Sequence, residues 1–316
     1  MKIIGTGSAL PKKVVTNDML SEFLETSDEW ISSRTGIRER RLLSSERLVD
    51  LAIDASNKAI EASGLQASDL DFIICSNVAN NDVTPGMSCV VEGAIGANCP
   101  CIDVNVACAG FLYALDYADS FLTTGRCKNI LIVSAEEPTR FCNWKERDIS
   151  VLFGDGAGAV VVTKGEPLMS RKFTCTSNQN VIRYSRRMED TPFEEEGVEF
   201  TRPLIMSGKE VFRNAVSASQ RDLECVLKEA GITAEDVKYF VLHQANLRII
   251  ASIQEHMGQP VEKFPTNLQH YGNTSSASIP ILLDELVRAG KIERGDILAM
   301  SSFGAGFATG AMVFKY

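Results

Sequence analysis

Apolar residues follow two different spacings along this chain, and the two spacings alternate. From Leu48 to Ala59 they recur at helical intervals until Gly64 interrupts the run, and the continuous apolar stretch DFIICSN follows. This order predicts a helix and then a buried strand. FLYALDYADSFLTTG, which ends at Gly125, and KNILIVSAE, residues 128–136, predict a second helix and a second strand. Helices that alternate with short buried strands are typical of an α/β fold with mostly parallel, covered sheets.

The second half of the chain repeats this pattern at a fixed offset. The offset from Gly64 to Gly231 is 167 residues, and the same shift carries DLDFIIC onto DVKYFVL and ILIVS onto ILAMS. Because the offset holds over about seventy residues, the repeat favours an old duplication over chance. We therefore predict two similar halves, residues 1–165 and 166–316. The less regular residues 165–205 are interpreted as the connector between the halves, where a substrate pocket could also be shaped.

Composition narrows the classes of protein that remain. The 316 residues are 45% hydrophobic and 23% charged, with no apolar stretch long enough to span a bilayer. The start MKIIGTGSALP meets glycine and proline too early for a secretory signal. A net charge of −9 argues against a nucleic-acid-binding protein. Nine cysteines without an export signal predict reduced thiols in the cytoplasm.

Two glycine-rich motifs and one cysteine cluster invite cofactor assignments that the sequence does not support. GDGAG, residues 154–158, runs into the strand-like AVVVT, and GAGFATG, residues 304–310, lies almost at the chain end, so neither opens the helix that a dinucleotide fingerprint requires. Close backbone approach in tight turns explains both motifs better. The spacing of Cys99, Cys101 and Cys108 suits no common zinc site. We therefore predict neither a metal nor a cofactor.

Three residues form a coherent chemical set. Cys108 precedes a predicted helix, where free N–H groups and the helix dipole favour a thiolate. His243 follows the buried run YFVL, at the strand edge where open α/β sheets place ligands. With Asn273 they offer a nucleophile and two donors for an oxyanion. The alternatives are a cysteine that merely packs, a structural histidine, and a cysteine protease, whose usual sequence context around the nucleophile is absent.

Five motifs together resemble one known family. Their order and spacing resemble β-ketoacyl-acyl carrier protein synthase III of the thiolase-like superfamily, and the matches run from residue 2 to the end of the chain. The motifs are SDEWI with RTGI near the start, ACAGF at 107–111, FGDGAGA at 153–159, HQAN at 243–246 and YGNTSSAS at 271–278.

The resemblance implies a fold, a reaction and two partners. The fold is α/β, a thiolase-like five-layered αβαβα arrangement of two duplicated halves, with Cys108 in the N-terminal half and His243 and Asn273 in the other. The reaction is a decarboxylating Claisen condensation that starts fatty acid synthesis, run by a homodimer without a cofactor. Cys108 takes the acyl group from acyl-CoA, and the other two residues hold the thioester oxygen of malonyl-acyl carrier protein as CO2 leaves.

Further residues match family positions around the reacting groups. The resemblance implies an oxyanion hole from the backbone N–H groups of Cys108 and Ala305, where the family more often has glycine. It places Phe303 beside the cysteine and Leu204 at the acyl pocket, whereas the polar segment 182–202 matches no family feature. It assigns the following to CoA or to the carrier protein: Trp30 and Arg147 around adenine, Arg34 and Asn246 near the phosphates and pantetheine arm, and Arg248 and Arg213 for carrier docking.

Related activities remain as alternatives. Thiolases need a second cysteine near the C-terminal glycine turn, but the last cysteine here is Cys225. Elongating synthases have a second histidine where this chain has Asn273, and chalcone-type synthases are longer with another glycine signature. A relative that handles a specialised acyl group in secondary metabolism is the nearest rival. A scaffold that only binds acyl-CoA need not retain all three chemical residues.

Overall fold

Two main sheets and two short β-ribbons form the β-structure of the residues that the structure describes. The computed structural model describes residues 1–78, 80, 82–166, 168–178, 180–183 and 205–316. The strands are β1 Lys2–Ala9, β2 Lys13–Thr16, β3 Glu39–Leu42, β4 Phe72–Ser76, β5 Cys101–Val104, β6 Asn129–Glu136, β7 Gly156–Thr163, β8 Ser170–Cys175, β9 Ile182–Arg183, β10 Ile205–Met206, β11 Tyr239–Leu242, β12 Ile297–Gly304 and β13 Ala308–Lys315.

Ten α-helices are present in the described ranges, and none of them carries an apolar stretch of the length that a bilayer requires. They are α1 Asn17–Ser21, α2 Asp28–Thr35, α3 Leu48–Ser63, α4 Met87–Ile95, α5 Gly110–Thr123, α6 Arg147–Ser150, α7 Gly208–Ala230, α8 Leu247–Met257, α9 Leu268–Tyr271 and α10 Ser278–Arg288.

The two main sheets share one topology. The first has the order β1-β7-β6-β4-β5, and the second has β8-β13-β12-β11. In both, two strands that follow helices run parallel, β4 with β6 and β11 with β12. The remaining two strands of the shared pattern are added antiparallel. Within the described residues, the second sheet therefore repeats the first without an equivalent of β5.

Among the described residues, three apolar clusters lie between the five layers of helices and sheets and hold them together. In the central cluster, Leu112 and Leu115 of α5 and Leu282 of α10 pack between inward side chains of both sheets. A second cluster joins α3 and α4 to the outer face of the first sheet, and a third joins α7 and α8 to the outer face of the second. The predicted αβαβα arrangement is confirmed. It follows from strands that are apolar on both faces, which only helices on both sides can bury.

The offset of 167 residues holds through most of each half and then changes. It relates β1 to β8, β4 to β11 and β6 to β12, as well as α5 to α10. For β7 and β13, which begin at 156 and 308, the offset falls to 152. The first half inserts a longer excursion between β6 and β7, and α6 with Arg147 lies on it. The second half closes the same connection with the GAGF turn, so one half contributes Arg147 and the other the tight glycine turn.

The predicted connector, residues 165–205, is wrong in part. Residues Ser170–Cys175 form β8, an edge strand of the second sheet that pairs with β13. This strand, SRKFTC, is only half-buried, and its sequence lacks the continuous apolar run that predicts the other strands. Residues 184–204 lie outside the described part of the chain, with most of the 182–202 segment.

Both glycine motifs serve close packing, as predicted. GDGAG leads into β7 rather than a helix. A Cβ at Gly158 would lie 2.8 Å from the backbone N of Ile281, so β7 can approach α10 only with glycine there. GAGFATG contains the turn between β12 and β13. A Cβ at Gly304 would lie 2.7 Å from the backbone N of Cys108, which brings this turn against the candidate nucleophile.

Candidate active site

Cys108 lies on a short loop between β5 and the N-terminus of α5. The preceding Ala107 has φ of +48°, which turns the chain sharply before the thiol. Behind the loop, the Ser302 hydroxyl donates to the Cys108 carbonyl at 2.7 Å, and Gly304 lies against its backbone. These contacts from β12 hold the cysteine backbone in place from the opposite half of the molecule.

The Cys108 thiol is protonated at neutral pH. Burial raises the pKa of Cys108 to about 12, and the nearby Glu136 carboxylate acts in the same direction. The Ser275 hydroxyl, 3.4 Å from Sγ, lowers this pKa, and the start of α5 also favours the thiolate. The helix terminus alone therefore does not supply a standing thiolate, and the thiol has to lose its proton when substrate arrives.

His243 follows the last residue of β11 and is only 3% exposed. Its Nδ1 lies 2.7 Å from Ser278 Oγ, and this oxygen also accepts from the Gln244 N–H. The Ser278 hydroxyl can donate its proton to Nδ1, and on that basis we assign the neutral tautomer with the proton on Nε2. Burial lowers the pKa of His243 to about 3, and Nε2 has no protein partner among the described residues. The ring is thus a neutral donor.

Asn273 is held through its backbone and its side-chain oxygen. Its N–H donates to Leu152 O at 2.9 Å, and its carbonyl accepts from the Gly154 N–H at 3.1 Å. Oδ1 accepts the Ser275 N–H at 2.8 Å, which fixes the orientation of the amide. This arrangement leaves the Nδ2 group as the part of Asn273 that can donate to a ligand.

One cavity of about 740 Å³ is lined by all three of these residues. Phe303 and Ala305 line it too, and Phe303 packs edge-on against the His243 ring at a centroid distance of 5.2 Å. The structure therefore brings into one cavity the thiol, the imidazole and the amide that the sequence predicts as the chemical set. Their roles in a reaction stay a prediction.

The exposed end of the same cavity is rich in cationic side chains. Trp30, Arg34 and Asn246 line it, and Asn246 Nδ2 donates to the Arg34 carbonyl at 3.1 Å. The Arg147 guanidinium carbon lies 4.3 Å from the Trp30 ring centroid, and that of Arg34 lies 4.5 Å from it. Trp30 and Arg147 therefore contact each other directly, and the predicted position of an adenine ring between them requires that they separate first.

Comparison with known proteins identifies the family. The family model described as 3-oxoacyl-[acyl-carrier-protein (ACP)] synthase III matches residues 102–178, and its C-terminal counterpart matches residues 227–316. The chain is 42% identical to the β-ketoacyl-[acyl-carrier-protein] synthase III of Clostridium perfringens strain SM101, over 99% of this chain and 98% of the relative. It is 40% identical to that of Clostridium acetobutylicum, over 100% and 98%. The chain belongs to the β-ketoacyl-acyl carrier protein synthase III family.

A solved structure of this family agrees with the fold. The crystal structure of 3-oxoacyl-[acyl-carrier-protein] synthase III from Aquifex aeolicus VF5 superposes with a TM-score of 0.91 at 38% identity, covering 100% of this chain and 99% of the other. The resemblance predicted from five motifs is thus confirmed, as is the thiolase-like fold class. The two matched ranges of this synthase III contain Cys108 in one and both His243 and Asn273 in the other.

The glycine turn of this synthase III tolerates its departure from the family pattern. Ala305 is not among the described residues with positive φ, so its side chain causes no backbone strain there. Phe303 is almost fully buried and stacks on Phe307 at a centroid distance of 5.9 Å. Leu204, predicted to border the acyl pocket, lies outside the described residues.

The two arginines predicted to dock the carrier protein have different settings. Arg248 lies on the first turn of α8, is exposed, and lines the cavity mouth. Arg213 lies on α7, is also exposed, and is not part of the cavity lining. The assignment of both arginines to carrier-protein docking stays a prediction.

Sequence reasoning missed four polar residues of the site. Lys209, at the start of α7, lines the cavity mouth, and its only sequence signal was a basic residue in a polar run. Ser278 orients His243, and Ser275 contacts Cys108. Glu136 ends β6 and is buried behind Ser275. A carboxylate at the end of an apolar strand was the one available signal. Among the described residues, no group of His, Cys, Asp and Glu is arranged to hold a metal ion.

Proposed function

We propose that this synthase III condenses an acyl-CoA with malonyl-acyl carrier protein and releases CO2, through an acyl-Cys108 intermediate, to start fatty acid synthesis. The observation that carries the proposal is one cavity in which a half-buried thiol, a neutral imidazole whose Nε2 has no partner among the described residues, and an oriented amide occur together. The names of the relatives favour this reaction over a specialised one in secondary metabolism.

The first half-reaction transfers the acyl group to Cys108. Sulfur attacks the thioester carbonyl carbon of acyl-CoA, and the oxygen becomes an oxyanion. The backbone N–H groups of Cys108 and Ala305 are the proposed donors to it, supported by the packing of the Gly304 turn against the Cys108 backbone. The carbon–sulfur bond to CoA then breaks, and the CoA thiolate takes a proton from solvent.

The second half-reaction forms the new carbon–carbon bond. The thioester oxygen of the malonyl group accepts hydrogen bonds from His243 Nε2–H and Asn273 Nδ2–H. When the malonyl carboxylate leaves as CO2, the electron pair of the broken carbon–carbon bond forms an enolate, and its negative charge falls on the thioester oxygen. Two neutral donors in a buried site stabilise this charge without the repulsion that a carboxylate there would cause. The enolate carbon attacks the acyl carbonyl, and the Cys108 thiolate departs.

The cavity mouth supplies the groups that CoA would require. The phosphates of CoA are anionic, and Arg34, Lys209 and Arg248 provide positive charge around the opening. Trp30 offers a flat surface for a base, with Arg147 as the cation on it. We assign carrier-protein docking to the same face, through Arg248 and Arg213, because the malonyl arm has to enter by this opening.

Quaternary structure and compartment form part of the proposal. Among the described residues, β5 is an edge strand of the first sheet, and Ile102 on it is 48% exposed. An open edge with an exposed apolar residue is suited to pairing with a second copy, which supports a homodimer. All nine cysteines are free thiols, in keeping with the reducing cytoplasm. Light scattering on the purified protein measures its molar mass and thus tests whether it is a homodimer.

Acylation of the native protein tests the function directly. We expect incubation with acetyl-CoA or a short homologue to add one acyl mass in intact-protein mass spectrometry, and Cys108→Ala to abolish it. Cys89→Ala, which removes an exposed thiol elsewhere, is the matched control and should label fully. Labelling that survives in Cys108→Ala would refute the assignment. A panel of acyl-CoAs then identifies the starter group, and a preference for an unusual acyl chain would favour the secondary-metabolism alternative.

A further inference from the structure

Glu136 is a buried carboxylate that the proposed reaction leaves unused. It ends β6, is 2% exposed, and lies on the carboxyl edge of the first sheet, where Cys108 also emerges. In the described part of the chain its oxygens accept from the hydroxyls of Ser275 and Ser276 and from the Val78 N–H, not from a lysine or arginine. A carboxylate buried without a cation is costly for stability alone, which points to a chemical use.

Ser275 connects this carboxylate to the nucleophile. Its Oγ lies 3.4 Å from Cys108 Sγ and 3.3 Å from Glu136 Oε1, so one hydroxyl is within reach of both groups. Ser275 is held with φ of +53°, in the left-handed region, and Asn273 Oδ1 accepts its N–H at 2.8 Å. The left-handed backbone of Ser275 is strained, and this conformation places the hydroxyl between the two groups.

The acyl transfer needs a group that accepts the Cys108 proton, and the His243 imidazole is poorly suited to this role. Burial raises the pKa of Cys108 to about 12, so its proton has to be removed during the attack. Burial lowers the pKa of His243 to about 3, which makes that ring a weak base. Burial raises the pKa of Glu136 to about 7, close to the value that suits a general base at neutral pH.

We propose that Glu136 accepts the Cys108 proton through Ser275: the thiol donates to Ser275 Oγ while the Ser275 hydroxyl proton passes to Glu136 Oε1. The electron pair left on sulfur forms the bond to the acyl carbon. The proton stays on Glu136 while the acyl group occupies the cysteine. When the enolate displaces the Cys108 thiolate, the proton returns by the same route. The relay rests on the proposed acyl transfer and adds its proton path.

Single-turnover acylation, quenched in milliseconds and read by intact mass, tests the relay. Glu136→Gln keeps the volume and an oxygen for the Ser276 hydroxyl but cannot take a proton, so we expect acylation about 100-fold slower. Ser275→Ala should show a similar loss. Ser276→Ala is the matched control: it removes the shorter hydrogen bond to Glu136, at 2.6 Å, but leaves the path from sulfur intact, so most of the rate should remain.

The alternative roles predict different results. If Glu136 only contributes charge, its removal lowers the pKa of the thiol, and Glu136→Gln acylates at the wild-type rate or faster. If the serines only support the carboxylate, Ser276→Ala loses as much rate as Ser275→Ala. Either result overturns the relay. Complete absence of acylation in the wild type would instead overturn the proposed function. Thermal melting checks that the variants fold.

The solvent isotope effect and the pH dependence of acylation in the wild type provide a further test of the relay. The relay moves two protons together, so acylation should be slower in D2O, with a curved dependence on deuterium fraction. It should also rise with pH as Glu136 ionises near pH 7, and this rise should vanish in Glu136→Gln. The titratable neighbours that interact with this carboxylate, Cys75 and Cys108, both have raised pKa values and stay protonated there. A rate that is equal in H2O and D2O contradicts the relay.

Discussion

The substitution Gly304→Ala tests how closely the glycine turn has to approach the nucleophile. A Cβ there would lie 2.7 Å from the backbone N of Cys108, 3.0 Å from Ala107 Cβ and 3.1 Å from Val106 O. Ordinary contacts begin at 3.4 Å, so the turn or the cysteine loop has to move by about 0.7 Å. The obstacles include backbone atoms, which cannot swing aside like the end of a flexible side chain.

The magnitude follows from two separate costs. Overpacking of this kind destabilises a core by about 1–3 kcal/mol. The displaced atoms include the proposed oxyanion donors, and a shift of this size at a reacting centre lowers the rate by about 100-fold. We therefore expect Gly304→Ala to fold with reduced stability in urea unfolding and to lose about two orders of magnitude in acylation rate.

Gly93→Ala is the control for this experiment. Gly93 lies within α4, and a Cβ there meets no atom within 4 Å. Alanine should raise the free energy of unfolding by about 0.5–1 kcal/mol through its helix propensity, and it should leave acylation unchanged. If Gly304→Ala acylates at the wild-type rate while folded, the turn does not position the oxyanion donors and this part of the mechanism is wrong.

Three further predictions separate binding, condensation and protonation. Asn273→Ala should still acylate Cys108 yet condense about 100- to 1,000-fold more slowly in a product assay, since it lacks one donor to the enolate; loss of both steps would indicate a structural role. Trp30→Ala should raise the KM for acyl-CoA by roughly tenfold with little change in kcat, whereas Trp144→Ala, outside the cavity lining, should not; equal KM values would remove Trp30 from the CoA site. His243 has its folded pKa lowered to about 3, so its contribution to stability is complete above pH 6.5 and is lost as pH falls towards 3. We expect the free energy of unfolding, measured with urea between pH 4 and 6, to depend on pH less steeply in His243→Gln than in the wild type, by about 1.4 kcal/mol per pH unit. Equal slopes in the two proteins would contradict the lowered pKa of His243.

Local patterns in the sequence predicted most elements of the fold. The helical run from Leu48 to Ala59 and the strand DFIICSN appear as α3 and β4, because apolar spacing records which faces a segment has to bury. The constant offset predicted the repeated sheets for the same reason. Apolar spacing missed β8, because the half-exposed edge position of this strand leaves little apolar periodicity to detect.

For the candidate site, motif spacing selected Cys108, His243 and Asn273, and these residue types carry their own chemistry. Their convergence on one cavity was an expectation that only coordinates could examine. The contacts that complete the site were outside the reach of any local pattern. Ser275 meets Cys108 across 167 residues of chain and Glu136 across 139.

The sequence by itself determined the elements, their repetition and the identity of the candidate nucleophile and donors, since each of these depends on residue type and short-range order. The tertiary structure alone decided protonation. Burial removes water from all three groups, and it raises the pKa of the Cys108 thiol to about 12, lowers that of the His243 imidazole to about 3 and raises that of the Glu136 carboxyl to about 7. Burial at this depth exists only after two sheets and their helices have packed together, so it is a property of the assembled fold and of no segment within it.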